Sequence, residues 1–122
     1  MRPIVLLLCL AALAPAAFAQ APAQVKKDQA DLAKLSTQRD ASKTAMYKHP
    51  GNASYRHAFV LINDRFANKT MNASWMTPHD KYSKALRLYR VSLNLDPHDP
   101  DAKQWVDMIE SIYKSMGRPI PK

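Results

Sequence analysis

The chain has 122 residues, with 18 Lys or Arg against 10 Asp or Glu, which gives a formal charge of +8. This length holds one small domain, and 47% hydrophobic with 23% charged residues is an ordinary globular composition. A two-domain enzyme and a wholly disordered chain are therefore excluded. The single cysteine, Cys9, excludes an intrachain disulfide and a Cys-based zinc site.

The first 19 residues have the features of a secretory signal peptide. Arg2 supplies a positive start, an apolar run covers residues 4–13, and the small residues Ala17 and Ala19 predict cleavage before Gln20. The alternative is a retained membrane anchor, but the run is shorter than the ~20 residues that a helical span needs. We therefore expect an exported protein, periplasmic or secreted, whose mature chain has no Cys and no transmembrane segment.

The next part of the chain predicts two helices. Residues 20–24 are rich in Pro and Ala and are expected to form a flexible lead-in, whereas residues 25–48 contain good helix formers and no Pro or Gly. A break follows, after which Asn52 is a suitable N-cap for a second helix. An apolar stripe at helical spacing indicates that this second helix is central, and its members are Tyr55, Ala58, Phe59, Ile62 and Phe66. Residues 67–80 are the least regular stretch.

Two further helices are predicted to begin at prolines. Thr77 and Asp99 can act as N-caps, while Pro78 and Pro100 suit the first helical position. Each of these helices has one apolar stripe, and Gly117 is a natural C-terminal cap for the last. With four helices and no convincing strand, the sequence predicts an all-α fold built from antiparallel helical hairpins.

The third helix and the break after it carry a repeat-like motif. Residues 82–97 contain an aromatic, a small residue, a second aromatic, a second small residue and a closing proline, namely Tyr82, Ala85, Tyr89, Ser92 and Pro97. This order resembles the second helix of the tetratricopeptide repeat (TPR), and residues 101–118, with Tyr113 and Gly117, resemble the first helix of that family. The resemblance implies a short TPR-like solenoid over residues 25–118, followed by a C-terminal tail at residues 119–122.

The chain departs from the family pattern in two ways. Asn63 and Glu110 stand where the family's first helix usually has a small residue. The two similar breaks, at residues 49–52 and 96–99, are also farther apart than the roughly 34 residues of the family's repeat. An unrelated helical bundle is the alternative interpretation.

The resemblance implies a non-enzymatic module that binds a peptide or protein segment, with envelope assembly as one setting for an exported protein. In the family, the first helices line a concave surface. The candidate partner-binding residues that follow from this are His57, Leu61, Asp64, Asp107, Ser111 and Lys114. A repeat array this short buries little core, so homodimer formation stays an open alternative.

Two other binding functions remain open. A basic group at Lys84, Arg87 and Arg90 could attract an anionic polymer or an envelope surface. No aromatic side chains interleave with this group, so we expect no nucleic-acid partner. A second set, Met71, Met76 and His79, offers soft ligands suited to Cu(I). The simpler interpretation is that the methionines cover the core.

An enzyme is the least expected class. The predicted mature chain has no Cys nucleophile, and the sequence contains neither a Gly-x-Ser-x-Gly nor a His-Glu-x-x-His motif. Two prolines interrupt the cluster of Asp96, Asp99 and Asp101, which favours a helix break and a cap over acid/base chemistry or calcium binding. We expect no catalytic residues and no cofactor; a pocket that gathered His57 and Asp64 around a small molecule would overturn this expectation.

Overall fold

The computed structural model describes residues 21–122, and the predicted signal peptide lies outside them. Four α-helices follow one another: α1 (Pro22–Lys48), α2 (Ala53–Met71), α3 (Pro78–Leu95) and α4 (Pro100–Ser115). Each helix packs mainly on the next one along the chain, so that α2 contacts α1 and α3, and α3 contacts α4. No strand occurs within the described part. The predicted all-α fold of successive helical hairpins is confirmed.

The helix starts follow the predicted capping residues. The Asn52 side chain accepts a hydrogen bond from the Ser54 backbone N–H (3.0 Å), and the Thr77 hydroxyl accepts one from the Asp80 N–H (3.2 Å). Asp99 caps α4 in the same way, and Pro100 occupies the first position of that helix. These side chains satisfy backbone donors that have no partner inside the helix, so the local sequence alone determines where α2, α3 and α4 begin.

The end of α4 also follows the sequence. Gly117 has a φ of +63°, a left-handed conformation that costs glycine little. This turn lets the Arg118 N–H donate to the Tyr113 carbonyl (3.0 Å) and the Gly117 N–H donate to the Lys114 carbonyl (3.0 Å). Both bonds together form a Schellman motif, which terminates the helix.

Two helices are longer than the sequence suggested. α1 begins at Pro22, inside the segment expected to be a flexible lead-in, because proline is well tolerated at a first helical position. α2 continues to Met71, into the stretch expected to be the least regular. Packing explains the second extension: Ala67, Thr70 and Met71 are all buried, and burial of a helical face outweighs weak local propensity.

The core lies between α2, α3 and α4. Five of the residues that carry the TPR resemblance contribute to it or border it: Ala85, Tyr89 and Ser92 on α3 and Tyr113 on α4 are buried, with Tyr82 packed at the edge. Each large apolar side chain buried in this way contributes about 1.5–3 kcal/mol to stability. Pro97 is exposed in the break after α3. Other members of the core include Phe66, Leu86, Leu88, Val106 and Ile109.

Helix α1 has no fully buried side chain. Its Leu32 and Leu35 pack, partly buried, against the core, and polar contacts add to this packing. Its Arg39 Nε donates to the Asn63 Oδ1 on α2 (2.6 Å). The Asn63 Nδ2 in turn donates to the Leu88 carbonyl oxygen (2.7 Å) and to the Ser92 Oγ (2.8 Å), both on α3. Asn63 is completely buried, so its amide connects three helices through the middle of the molecule.

Glu110, the other departure from the family pattern, also makes a bridge between helices. Its Oε1 lies 3.2 Å from the Arg90 guanidinium. The same guanidinium donates to the Pro121 carbonyl (2.6 Å), which holds the C-terminal tail against α3 and α4. Ile120 packs on the core beside it. Residues where the family has small side chains are used here for polar contacts between helices.

We expect Asn63→Ala to destabilise the fold by about 2 kcal/mol, because the substitution removes three hydrogen bonds that join α1, α2 and α3, including the one that the half-buried Arg39 Nε donates. Urea denaturation measures this. Asn94→Ala, at an exposed position of α3, is the matched control and should change stability by less than about 0.5 kcal/mol. Equal losses in the two variants would contradict the role assigned to Asn63.

Candidate functional site

A groove of about 610 Å³ opens between α2 and α4. α2 supplies one wall and the start of α4 the other, while Tyr89 of α3 and Leu35 of α1 complete the lining. The residues that line it are Leu35, Leu61, Asp64, Arg65, Asn68, Lys69, Tyr89, Asp101, Gln104 and Trp105. α2 and α4 are the helices that the family resemblance assigns to the concave surface, and the groove lies where they face each other.

The apolar part of the groove is formed by aromatic and leucine side chains. The Tyr89 and Trp105 rings stack with centroids 6.5 Å apart and an angle of 18° between their planes. Tyr89 is buried, Trp105 is half-buried, and Leu61 exposes 48% of its surface. Aromatic side chains that are rigid and only partly covered are typical anchors at binding surfaces.

The polar part of the groove contains an acidic cluster, which we define as Asp64, Asp99 and Asp101. The Asp99 Oδ1 accepts from the Asp101 N–H (3.1 Å) and the Ala102 N–H (3.3 Å), as expected for the cap of α4. The Asp99 Oδ2 is buried and receives no hydrogen bond from a donor in the described part of the chain. The Asp64 carboxyl lies within hydrogen-bonding reach of Asp99, so a proton on Asp64 can bridge the pair.

The environment of Asp64 favours its protonated form. Burial raises the pKa of the Asp64 carboxyl to about 7, and the hydrogen-bonded Asp99 carboxyl and the charges of Asp99 and Asp101 act in the same direction. The Ser92 hydroxyl donates to the Asp64 Oδ1 and opposes the rise. Because two carboxylates in contact cannot both ionise cheaply, the proximity of Asp99 favours the protonated form of Asp64.

Tyr89 extends this polar region below the surface. Its hydroxyl is buried and, within residues 21–122, makes no hydrogen bond of normal geometry. Burial raises the pKa of the hydroxyl; the neighbouring Asn68 side chain lowers it, and the carboxylates of the acidic cluster raise it further. The hydroxyl and the three carboxylates therefore share one part of the groove.

The cationic residues of the groove lie at its other end, near α1. The Lys69 Nζ is 3.0 Å from the Asp28 Oδ1, and this hydrogen bond is the main reason that the pKa of Asp28 is lowered. Arg65 is exposed on the same wall of α2. The groove thus has a basic end near α1 and an acidic end near the start of α4.

The structure brings together only two of the six predicted partner-binding residues. Leu61 and Asp64 line the groove, whereas His57 lines a separate cavity of about 360 Å³ with Arg56 and Leu95. The other three, Asp107, Ser111 and Lys114, are exposed on α4 away from the groove.

The side of α4 that faces the groove carries Asp101, Gln104 and Trp105. It lies roughly 100° around the helix from the face that was predicted. Trp105 is the residue that could have indicated this face. Its aromatic ring is large and apolar, yet it remains half exposed. Asp107 is occupied outside the groove, 3.4 Å from the Lys103 Nζ.

The predicted basic group does not form one free surface. Arg90 is engaged by Glu110 and Pro121, and the Lys84 Nζ lies 5.2 Å from the centre of the Phe66 ring. Arg87 is the exposed member of the three. These contacts direct two of the cations into the fold rather than toward a polyanion.

The three Cu(I) candidates also differ in their exposure to solvent. Met71 is part of the core, Met76 is half-buried, and His79 is exposed. Among the residues that the structure describes, no group of three His, Cys, Asp or Glu side chains is placed to hold a metal ion.

No protein-family model, curated protein or solved structure matches this chain. Among the helices of residues 21–122, none combines the length and the apolar character that crossing a bilayer requires.

The raised pKa of Asp64 predicts that stability falls as the pH rises. An unfolded Asp titrates near 4, so the folded protein binds more protons than the unfolded chain between about pH 4 and pH 7. Stability is therefore lost across this window and levels off above it. We expect a loss of about 2 kcal/mol between pH 5 and pH 8, since solvent screens part of the interaction.

Urea denaturation across this pH range measures the effect. Asp64→Asn should flatten the profile, because the amide resembles the protonated acid at every pH. Asp107→Asn, at an exposed site, should leave the profile as it is in the wild type. A profile that keeps its slope in Asp64→Asn would assign the pH dependence to another group.

Proposed function

We propose that this protein is an exported, non-enzymatic module, related in design to a short TPR array, that binds a peptide or a protein segment in the groove between α2 and α4. The observation that carries the proposal is the groove itself, where the half-covered Trp105, stacked on Tyr89, stands opposite the exposed Leu61. Such a site offers apolar contact area with a polar rim, which is how proteins bind extended segments.

The dimensions of the groove suit a short stretch of chain. About 610 Å³ falls within the ~300–1,000 Å³ of typical ligand sites and is enough for a few side chains. Its walls come from two helices that are not consecutive, so a bound segment would contact both hairpins at once. The Arg65 and Gln104 side chains on opposite walls can donate hydrogen bonds to a peptide backbone.

Polar contacts between the helices hold the walls of the groove in place. Asn63 connects α2 to α1 and α3, and Asp99 caps α4 at the edge of the groove. A wall that is already rigid loses little conformational entropy when a ligand binds. The polar bridges therefore favour binding by a preformed surface rather than by a mobile one.

Export is the other part of the proposal and rests on the leader sequence in residues 1–19. A C-terminally tagged full chain, expressed in a bacterial host, should be recovered outside the cytoplasm with Gln20 as its first residue. Recovery of an intact N-terminus in the membrane fraction would support the retained anchor instead and would overturn cleavage.

Selection from a displayed library of random twelve-residue peptides tests the binding function. We expect Trp105→Ala and Leu61→Glu to weaken the selected peptides at least tenfold, because truncation of an aromatic anchor typically costs more than 1 kcal/mol of binding. Met108→Ala, at an exposed residue of α4 outside the groove, is the control and should bind as the wild type does. Peptides that bind all forms equally would contradict the groove.

A further inference from the structure

Within residues 21–122, no Lys or Arg side chain forms an ion pair with the acidic cluster, although the chain is rich in both residues. The chain has 18 Lys or Arg and 10 Asp or Glu. Even so, none of the ion pairs in residues 21–122 involves Asp64, Asp99 or Asp101. Neighbouring carboxylates without a counter-charge attract a cation by simple electrostatics. The cluster is thus a local negative site in a positive molecule.

Two buried atoms independently indicate that a hydrogen-bonding group is missing. Asp99 exposes 7% of its surface, and its Oδ2 is buried without a donor in the described residues. The hydroxyl of Tyr89, which is 1% exposed and lines the groove, is in the same condition. Buried polar atoms are nearly always paired in native proteins. When Asp64 is ionised it no longer offers a proton to Asp99, and a ligand that donates hydrogen bonds then compensates the two carboxylates.

We propose, on the basis of the peptide-binding function above, that the acidic cluster at the start of α4 receives the cationic side chain of a Lys or Arg in the bound segment. An ammonium or guanidinium group carries only donors, which matches the carboxylates of Asp64 and Asp101 that line the groove. A neighbouring apolar side chain of the segment then packs between Leu61 and Trp105. The partner is therefore a peptide with a basic residue next to an apolar one.

The shape of the cluster favours an organic cation over a metal ion. The described carboxylates are not grouped as a metal-ligand set, and one oxygen of Asp99 is already used to cap α4. A long Lys or Arg stem, in contrast, can lie along the apolar side chains of the groove while its head reaches the acids. The Tyr89–Trp105 stack offers such a surface.

A proton and the basic side chain compete for the same place. The charged groups around Asp64 are acidic on the side of α4, where Asp99 and Asp101 lie, and Tyr89 faces it from α3. Three cations lie nearest the groove. Arg39 on α1 is hydrogen-bonded to Asn63, and Lys69 on α2 pairs with Asp28. The third, Arg65, is exposed to solvent. Because ionisation of Asp64 must precede ion pairing, binding strengthens as the pH rises from 6 to 8.

Synthetic peptide pools test this inference with the full chain immobilised through a C-terminal tag. Each pool is a capped hexapeptide with one defined central residue, either Lys, Arg, norleucine or Glu, and random flanking residues. We expect the Lys and Arg pools to be retained at least fivefold more than the norleucine pool at pH 8, with the difference shrinking at pH 6. Asp64→Asn should abolish the preference while keeping the fold, because the amide still accepts from Ser92.

The controls separate failure of this inference from failure of the binding function. Asp107→Asn removes a carboxylate from an exposed face of α4 and should retain the preference, which excludes a general charge effect. Pools retained equally whatever the central residue, but lost in Trp105→Ala, would overturn the cationic site and leave the groove intact. Retention that is unchanged in both Asp64→Asn and Trp105→Ala would overturn both proposals.

Discussion

The fully buried amide of Asn63 is the interaction on which the arrangement of the helices depends. It accepts from Arg39 on α1 and donates to Leu88 and Ser92 on α3. A buried amide with one partner missing is costly, so α1, α2 and α3 can be close together only in the geometry that satisfies all three bonds. For α1, which has no fully buried side chain, this bridge adds to the packing of Leu32 and Leu35 on the core.

The candidate site is a consequence of this constraint. The Ser92 hydroxyl accepts a hydrogen bond from Asn63 and donates one to the carboxylate of Asp64, the residue that follows Asn63 in α2. This bond orients the Asp64 carboxyl toward the start of α4, where Asp99 is required as the cap. The bond from Ser92 to α2 and the capping of α4 thus place two carboxylates in contact. Together they give the groove an acidic end that neither helix alone would have.

The sequence was informative wherever local chemistry decides the structure. Caps at Asn52, Thr77 and Asp99 gave the helix starts, and Gly117 gave the last helix end, because these residues act on backbone groups a few positions away. The end of α2 was not predictable in this way, since burial of Met71 depends on partners far along the chain. Local signals describe elements, whereas packing decides their length.

The candidate site was only half predictable for the same reason. Leu61 and Asp64 follow from the family resemblance, but the face of α4 that turns to the groove depends on how α4 crosses α3. Glu110 and Arg90 pair across this contact, and Trp105 rather than Asp107 lines the groove. Contacts between residues this far apart in the chain have no local signal in the sequence.

Net charge gives little information about the partner of this protein. The excess of cations suggests an anionic ligand, yet three of the arginine and lysine side chains that the structure describes are used internally: Arg39 holds Asn63, Arg90 holds the tail, and Lys69 holds α1. The groove, in contrast, concentrates unpaired carboxylates beside an aromatic stack. Charges already satisfied within the fold contribute little to recognition, whereas the few that remain uncompensated in a concave, partly apolar site dominate it.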